Sequence, residues 1–247
     1  MQAPRTWVRT GSPFWFTKSR ISVTDMTQDE AKLAAARAAL SELPNVGIIG
    51  LGSGSTVRLF VDEVGALVKG GRKLVGVPTS EGTRAQALAL GIPLLPDDGP
   101  WDILVCVDGA DEVDHRRNLI KGGGAAHTRE KIVNYAARRN VIIVDESKVS
   151  WLLGEKWPVP TEVLPFAHLA TARLLAGFGK PVLREKNGSV VRTDAGNFVY
   201  DVHTGPIEDP ASMQTRMKAV PGVVEVGLFV ERADVVLVAG EDGVRRL

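Results

Sequence analysis

Apolar positions follow two patterns along the chain, and the first extends from residue 46 to residue 147. Short, continuously apolar runs of the kind found in strands buried on both faces occur here: VGIIGLG, KLVGVPTS, DILVCVDG and NVIIVDES. Amphipathic stretches with helical spacing lie between them: STVRLFVDEVGALV, EGTRAQALALG and AAHTREKIVNYAARR. This alternation predicts a parallel sheet covered by helices, an α/β class of fold.

A second pattern begins after residue 150 and predicts a small α+β unit. The prolines of WPVPTEVLPF favour an edge strand or a loop. SVVRT and NFVYDVH, separated by DAG, predict a hairpin. With the helical stretches on either side and a last strand in VVEVGLFV, the order is β-α-β-β-α-β. The final apolar run, ADVVLVAGEDG, is expected to return to the first sheet.

The first 25 residues differ from both patterns. They are rich in Arg, Ser and Thr and lack the apolar core of a secretory signal, so they predict an unstructured extension, with a transit peptide as the alternative. Thr27 and Glu30 then predict a capping box at the start of a helix. The predicted organisation is an extension over 1–25, an α/β domain over 26–153 with 232–247, and a small α+β domain over 154–231.

Composition limits the classes of partner and compartment. The 247 residues carry a formal net charge of +1, which gives no electrostatic reason to expect nucleic acid or a membrane surface as partner. No segment has the roughly 20 apolar residues of a membrane span. Cys106 is the single cysteine, so an intrachain disulfide is excluded and a reducing, cytoplasmic compartment is predicted. Its apolar surroundings favour a buried structural thiol over a nucleophile.

The ends of the predicted parallel strands are expected to converge on one crevice, and the first of them predicts an anion site. In GLGSGSTV, glycines 50, 52 and 54 allow the backbone to approach a ligand, and Ser55 and Thr56 open a helix whose free N–H groups attract phosphate. Hydroxyl groups of Ser53, Ser55 and Thr56 add donors. The segment is neither a G-x-G-x-x-G nor a Walker motif, and a plain tight turn is the alternative.

Two further strand ends carry polar side chains. In VPTSEGT, Thr79 or Ser80 is expected to cap the next helix. In VDGADEVD, Asp108 and Asp111 flank Gly109 and are expected to face the crevice, with a solvated acidic turn as the alternative. A divalent-metal site is a second alternative, although the EF-hand spacing and a histidine pair are both absent from the sequence. No metal requirement is predicted, because Lys121 and the N–H groups of the glycine segment after it can supply the positive field of a metal ion. Beside an anion site, such carboxylates suit acid–base chemistry or the binding of hydroxyl groups.

The segment IKGGGAAHTREK carries the candidate base. With a helix starting near Ala125, Glu130 shares a mostly apolar face with Val133 and Ala137, and burial there would raise its pKa as a general base requires. A surface salt bridge is the alternative. Gly122, Gly123 and Gly124 admit a substrate close to the backbone, between Lys121 and Glu130. His127 faces much the same side and is expected to be a packing or surface residue rather than a catalytic one.

Together these stretches resemble type A ribose-5-phosphate isomerase. The resemblance is carried by GLGSGSTV, DGADEVD, KGGGAAHTREKIV and DESK, continues through PVPTEVLPFA, DAGNFVYDVH and PGVVEVGLF, and covers residues 26–247. It implies interconversion of ribose 5-phosphate and ribulose 5-phosphate through an enediol(ate), in the non-oxidative pentose phosphate pathway, with no metal or cofactor. It also implies a Rossmann-like domain with helices on both faces, a small ferredoxin-like α+β lid, and a homodimer or larger homo-oligomer.

The resemblance assigns roles to individual residues. Glu130 is the implied base, Asp108 assists ring opening and proton traffic at the sugar oxygens, Lys121 stabilises the enediolate oxygen, and Asp111 completes the catalytic set. The implied substrate contacts are Ser53, Gly54, Ser55, Thr56, Gly109, Ala110, Gly122, Gly123, Gly124 and Lys148. Two positions depart from the family pattern: Ser53 replaces a common threonine, and His127 replaces an aliphatic residue.

Two other classes of function remain alternatives. A sugar-phosphate-sensing regulator would need a DNA-binding module, and residues 1–25 are too short for a helix-turn-helix. A nicotinamide-dependent dehydrogenase is disfavoured because Ser55 occupies the place of the third glycine and no acid at the end of KLVGVPTS is suited to bind a ribose.

Overall fold

The computed structural model of the protein describes residues 27–247, so the predicted extension over 1–25 lies outside the described residues. The helices of the described part are α1 (Gln28–Ala39), α2 (Ser55–Lys69), α3 (Glu81–Ala89), α4 (His127–Ala136), α5 (His168–Leu175) and α6 (Pro210–Lys218). The strands are β1 (Val46–Leu51), β2 (Lys73–Pro78), β3 (Ile103–Asp108), β4 (Glu112–Val113), β5 (Leu119–Ile120), β6 (Asn140–Asp145), β7 (Val159–Val163), β8 (Lys180–Leu183), β9 (Glu185–Lys186), β10 (Ser189–Val190), β11 (Phe198–His203), β12 (Val223–Val226), β13 (Leu228–Phe229), β14 (Val235–Gly240) and β15 (Gly243–Arg246).

The capping box predicted for the first helix is confirmed. The Thr27 side chain accepts a hydrogen bond from the Glu30 N–H at 3.3 Å, and the Glu30 carboxylate accepts one from the Thr27 N–H at 2.8 Å. These bonds satisfy two donors that the first turn of any helix would otherwise leave free.

The first sheet has six strands in the order β15-β14-β6-β3-β1-β2. Its strands run parallel except β15, which pairs antiparallel with β14. Because β14 pairs with β6, the predicted return of the last apolar run to this sheet is confirmed. The carboxyl ends of β1, β2, β3 and β6 therefore lie along one edge, as the strand and helix alternation predicts.

Helices cover both faces of this sheet, as predicted. On β6, Val141 and Ile143 pack in a core cluster with Ala35 of α1 and Phe60 of α2. On the other face, Cys106 of β3 packs against Val133 of α4. The Cys106 side chain is buried, which confirms the predicted buried thiol. Alternate side chains of each strand thus enter different cores, which explains why the strands are apolar without interruption.

The second sheet has four strands in the order β12-β7-β11-β8, and every neighbouring pair is antiparallel. Helix α5 follows β7 and helix α6 follows β11, and Leu175 and Met217 of these helices pack with Val202 and Val226 of the sheet. This confirms the predicted β-α-β-β-α-β order, with the strand arrangement 4-1-3-2. Its strands come from residues 159–226, which agrees with the proposed division at 154–231, although the division itself stays a prediction.

Two details of the second sheet were predicted wrongly. Strand β7, expected at an edge or in a loop because of its prolines, is a buried central strand. Pro160 is tolerated because its carbonyl accepts the Gly227 N–H at 2.7 Å, one position beyond the last β7–β12 pair, so its missing N–H falls where that ladder ends. SVVRT does not form a hairpin ladder with NFVYDVH, because β11 pairs with β7 and β8, and Arg192 makes only an isolated bridge to Phe198.

A third, small sheet joins the two larger ones, in the order β13-β5-β4. VVEVGLFV, predicted as one strand, is divided at Gly227: β12 pairs in the second sheet, and β13 pairs with β5. Across residues 27–247, no helix combines the length and apolarity that crossing a membrane requires.

Candidate active site

A cleft of about 160 Å³ lies at the carboxyl ends of β1, β3 and β6. Every residue that the sequence singled out for catalysis or substrate binding lines this cleft, except Asp108. The parallel strands bring their ends together at one edge, and the turns that follow them supply the lining. The fold therefore brings these residues together in one cleft, and their roles in binding and catalysis stay predictions.

Three buried charged groups meet at the base of the cleft. The Lys121 ammonium lies 3.0 Å from Oδ2 of Asp108 and 3.3 Å from Oε2 of Glu130. It also donates a hydrogen bond to the Gly109 carbonyl at 2.6 Å. The exposed fractions of Asp108, Lys121 and Glu130 are 1%, 3% and 5%. One ammonium thus serves two carboxylates in surroundings with little water.

Burial and the neighbouring charges shift the pKa of two of these groups, Glu130 and Lys121. Burial, followed by repulsion from Asp108, raises the pKa of Glu130 to about 8, although Lys121 acts in the opposite direction. Burial alone would lower the pKa of Lys121, but attraction to Asp108 and Glu130 outweighs it and raises the pKa above its ordinary value. Lys121 is therefore a permanent cation, and Glu130 is a carboxylate that can take up a proton near neutral pH.

Asp108 is held behind the cleft by the turn after β1. Its Oδ1 accepts hydrogen bonds from the Ser53 N–H at 3.0 Å and the Gly109 N–H at 2.8 Å. A Cβ atom at position 52 would lie 2.2 Å from Oδ1, so a glycine is required for this close approach. The expectation that Gly50 and Gly52 open the backbone to a ligand is wrong: Gly50 packs against Cys106 and Val133, and of the three glycines only Gly54 borders the cleft.

The turn after β1 ends in an open helix N-terminus. Gly54 is the N-cap of α2 and makes no side-chain capping bond, so the first N–H groups of the helix remain available to an anion. Ser55 and Thr56 lie beside them in the cleft lining. Lys32 lies beside Ser55, and Lys148 also lines the cleft, so the lining carries further positive charge. The combination suits a phosphate group.

The Ser53 hydroxyl has other partners. It lies 2.8 Å from the hydroxyls of Thr79 and Ser80 and 3.2 Å from that of Thr83. Ser80 also caps α3 by accepting the Thr83 N–H at 3.1 Å, which confirms that one of Thr79 and Ser80 has this role. Ser53 lines the cleft, but its hydroxyl fixes the turn to the neighbouring strand end.

The glycine segment before α4 also uses part of its hydrogen-bonding capacity internally. The Gly123 N–H donates to Oδ2 of Asp111 at 2.7 Å. Burial raises the pKa of Asp111, and this N–H and Lys121 oppose that rise. The N–H groups of Gly122 and Gly124 have no hydrogen-bond partner within residues 27–247. Helix α4 begins at His127, later than the predicted start near Ala125, because Ala125 has φ +60° and ends a turn closed by its N–H on the Gly122 carbonyl.

The backbone of Lys121 is connected to the second sheet through Gly227. Its N–H donates to the Gly227 carbonyl at 2.8 Å, and the Gly227 N–H donates to Pro160 of β7. A Cβ atom at position 227 would lie 2.2 Å from the Lys121 carbonyl oxygen. Gly227 is therefore a bridge between the cleft and the second sheet.

His127 is buried and does not line the cleft. A Cβ atom at position 122 would lie 2.7 Å from its Nδ1, so the imidazole packs directly behind the glycine segment. Burial and the nearby Lys131 charge lower the pKa of His127 to about 3. It is a neutral packing residue at physiological pH, in agreement with the expectation from sequence.

Sequence reasoning missed four residues of the lining: Gln28, Lys32, Val57 and Asp145. Gln28 and Lys32 are four positions apart on α1, which predicts a shared face, but nothing local indicates that this face meets the cleft. Asp145 opens the DESK segment and precedes Lys148, so its position at a strand end was an available signal. Within residues 27–247 no group of three or more His, Cys, Asp or Glu side chains is arranged to hold a metal ion; metal independence stays a prediction.

Comparisons with known proteins agree with this architecture. The family model for ribose 5-phosphate isomerase A (phosphoriboisomerase A) matches residues 75–243. The chain is 44% identical over 228 residues to ribose-5-phosphate isomerase A of Thermococcus kodakarensis, an alignment that covers 90% of this chain and 99% of that protein. It is 45% identical over 222 residues to that of Thermosynechococcus vestitus, covering 87% and 94%.

Solved structures of ribose 5-phosphate isomerases are also similar to this chain. Ribose 5-phosphate isomerase A from Methanocaldococcus jannaschii superposes with a TM-score of 0.85 at 39% identity, covering 90% of this chain and 99% of that one. A D-ribose-5-phosphate isomerase in complex with phospho-erythronic acid superposes with a TM-score of 0.86 at 42% identity, with the same coverage.

Proposed function

The chain belongs to the ribose 5-phosphate isomerase A family and isomerises ribose 5-phosphate, and we propose that it forms ribulose 5-phosphate through an enediol(ate) with Glu130 as the base. One observation carries the proposal: a buried glutamate with a raised pKa lies 3.3 Å from a buried lysine at the base of the cleft. A carboxylate of this kind is a stronger base than an exposed one, and the fixed ammonium beside it can stabilise a developing oxyanion.

The proposed proton transfer follows from this pair. Glu130 removes the proton from C2 of the open-chain aldose, the electron pair of the broken C–H bond forms a C1=C2 double bond, and the C1 carbonyl oxygen becomes anionic. A proton then passes from the C2 hydroxyl to the C1 oxygen, C2=O forms, and the electron pair of the C1=C2 bond takes the proton from Glu130 at C1. Lys121 stabilises the anionic C1 oxygen. Its raised pKa supports the role, because the ammonium then keeps its charge through the neutral and mildly alkaline pH range in which Glu130 becomes ionised. Asp108, held behind Lys121, fixes the ammonium and is proposed to assist ring opening.

The phosphate is proposed to bind at the opposite end of the cleft. The open N-terminus of α2, the Ser55 and Thr56 side chains, and Lys32 and Lys148 support this placement. The complex of a relative with phospho-erythronic acid, a phosphorylated ligand, adds support. In this arrangement Gly109, Ala110 and the glycine segment contact the sugar between the phosphate and the base.

Isomerisation in D₂O without added metal or nicotinamide tests the proposal. After many turnovers, an enediol(ate) route is expected to place deuterium on C2 of ribose 5-phosphate and C1 of ribulose 5-phosphate, which NMR detects. Ketose formation with no deuterium at either carbon would indicate a hydride shift and remove the base role of Glu130. Activity that a chelator abolishes and a divalent ion restores would overturn the prediction of metal independence.

We also propose that the protein works in the cytoplasm as a homodimer or larger homo-oligomer and binds neither nucleic acid nor membrane. A net charge of +1 and the single buried thiol support this assignment. The α/β and α+β units over 26–153 with 232–247 and over 154–231 are proposed as catalytic domain and lid. Light scattering on the purified protein would measure the oligomer, and a monomer at micromolar concentration would contradict it.

A further inference from the structure

The side chain of Arg184 contacts the glycine segment from behind. Arg184 lies between β8 and β9, and its NH1 donates hydrogen bonds to the carbonyls of Gly122 at 2.6 Å and Gly123 at 3.1 Å. It does not line the cleft. A guanidinium ion from the second sheet is thus bonded to two successive peptide groups of the candidate active site.

Asp201 holds the guanidinium in place. Its Oδ2 accepts a hydrogen bond from Nε of Arg184 at 2.9 Å, and its Oδ1 accepts one from NH2. The exposed fractions of the two side chains are 14% and 19%, so the pair is largely shielded from water. Asp201 is on β11, paired with β8, which makes the fork part of a rigid sheet. Because the guanidinium is planar and two of its nitrogens are bonded to Asp201, NH1 is directed at the two carbonyls.

The planarity of the peptide bond gives these contacts a consequence in the cleft. In a trans peptide the C=O and N–H groups point in opposite directions. The Gly122 carbonyl bonds Arg184, and the N–H of the same peptide, on Gly123, donates to Asp111 on the opposite side. For the next peptide the Gly123 carbonyl bonds Arg184, so the Gly124 N–H is directed away from Arg184. This N–H has no partner within residues 27–247, and Gly124 lines the cleft.

We infer that Arg184, fixed by Asp201, is a positioning residue for the isomerisation: it orients the Gly123–Gly124 peptide so that the Gly124 N–H donates to the substrate. The cationic guanidinium also polarises this peptide, which strengthens its N–H as a donor to an oxygen that gains negative charge. The same contacts fix the Gly123 N–H on Asp111. The inference rests on the proposed function, because the acceptor of the Gly124 N–H is a sugar oxygen.

Three variants test the inference: Arg184→Met, Arg184→Lys and Asp201→Asn. Misplaced donors cost up to about a hundredfold in rate. Arg184→Met is expected to lower kcat at least about tenfold with a smaller change in KM, because the donor matters most when the oxygen becomes anionic. Arg184→Lys should restore part of the loss, since it keeps the charge but not the fork. Asp201→Asn should have the smallest effect.

A matched control is available at the surface. Arg138 forms the same fork with Asp102, at 2.8 and 2.7 Å, and both side chains are 64% exposed and away from the cleft. Arg138→Met should leave kcat unchanged. Hydrogen–deuterium exchange supplies a second readout: Arg184→Met should speed exchange in peptides covering residues 121–126 and leave the strands of the first sheet protected.

The outcomes separate this inference from the proposed function. Wild-type protein that forms no ribulose 5-phosphate contradicts the function whatever Arg184 does. An active wild type with kcat within threefold in Arg184→Met and Arg184→Lys overturns the inference. So does equal loss of activity in Arg184→Met and Arg138→Met, or faster exchange across the whole second sheet without a specific change at residues 121–126. If Arg184→Met does not fold, Arg184→Lys decides: a kcat lowered more than threefold with faster exchange confined to residues 121–126 supports the inference, and a kcat within threefold of wild type with unchanged exchange there overturns it.

Discussion

One buried glutamate belongs to helix α4 and a second contacts that helix, and the two have opposite hydrogen-bonding environments. Glu162 of β7 accepts hydrogen bonds from the Thr193 hydroxyl at 2.8 Å, the Asn197 amide at 2.7 Å and the Thr128 hydroxyl. Glu130, two residues after Thr128, shares one ammonium with Asp108, and its Oε2 accepts no hydrogen bond within the described residues. Both side chains are nearly inaccessible to water.

The difference separates a structural carboxylate from a reactive one. Removing a carboxylate from water is costly unless donors replace the lost hydration. Three donors do so at Glu162, and the bonds connect α4, β7 and the loop at residues 193–197. At Glu130 too few donors replace the lost hydration of the carboxylate. The protonated form is therefore favoured, and the pKa is raised to about 8. Burying the ionised carboxylate is costly at both residues. The number of hydrogen-bond donors around each carboxylate decides which of the two can act as a base.

The largest expected effect comes from removing the base. Glu130→Gln keeps the size of the side chain but cannot accept the substrate proton, so kcat should fall by at least about a hundredfold with KM little changed. Thermal unfolding should not occur at a lower temperature than in wild type, because a neutral amide is less costly to bury. Steady-state kinetics measures the first effect. A variant retaining more than about a tenth of wild-type kcat would move the base role to Asp108 or Asp111.

The opposite result is expected at the structural glutamate. Glu162→Gln replaces two acceptor oxygens by one and turns an NH₂ group toward existing donors, so the free energy of unfolding should fall by about 2–3 kcal/mol. The kcat of the folded enzyme should stay within a few-fold of wild type. Urea denaturation measures the loss, with exposed Glu208→Gln as the unaffected control. A Glu162→Gln protein as stable as the control would contradict the structural role of the three bonds.

The pH dependence of the two properties should run in opposite directions. Below the raised pKa, Glu130 is protonated in the free enzyme, so kcat/KM should rise about tenfold per pH unit up to about pH 8. Stability should fall over the same range. Because the pKa of Glu130 in the folded protein is above its ordinary value of 4.5, Glu130 contributes stability that is complete below pH 4.5. This contribution is lost as the pH rises through about 8. Denaturation of wild type and Glu130→Gln at several pH values isolates this contribution, and a constant difference between them would refute it.

A smaller effect is expected at the far end of the cleft. Thr56→Val removes one hydroxyl beside the N-terminus of α2 and keeps the shape of the side chain, so kcat/KM should fall about tenfold, the equivalent of one hydrogen bond to a charged group. Because binding energy far from the reacting carbons also supports the transition state, kcat can share the loss. An unchanged kcat/KM would remove Thr56 from the phosphate site.

Removing the first 25 residues, which lie outside the surroundings of both glutamates, is expected to have no effect on activity or stability. A protein that starts at Met26 keeps Thr27, its capping box and every residue of the cleft lining, so its kcat and unfolding temperature should match those of the full chain. Folded protein with lost turnover would give the first 25 residues a role in the site.

The first sheet is well predicted from the sequence because each of its strands and turns is encoded by its own short segment of the chain. Each strand is an unbroken apolar run, and each turn after a strand carries its own polar signal, so Glu130, Lys121 and the helix at Ser55 could be placed without long-range contacts. The errors arise where distant contacts decide. Pro160 is acceptable in a central strand only because of where Gly227 lies, and the Ser53 hydroxyl is occupied by partners near residue 80. Arg184 contacts a segment about sixty positions earlier, which no local pattern predicts.

The bridge at Gly227 has a consequence for protein engineering. The Lys121 N–H donates to the Gly227 carbonyl, and the Gly227 N–H donates to Pro160 of β7, so the backbone of the cleft lysine is connected to the second sheet. Its ammonium contacts Asp108 at the end of β3 in the first sheet, so both large sheets position this residue. An α/β half excised for transplantation or minimal design would keep every side chain of the cleft lining but lose the hydrogen bond from Gly227 that fixes the Lys121 backbone. A chimaera built from the halves of two relatives would also need a glycine at position 227, because any side chain there would collide with the Lys121 carbonyl.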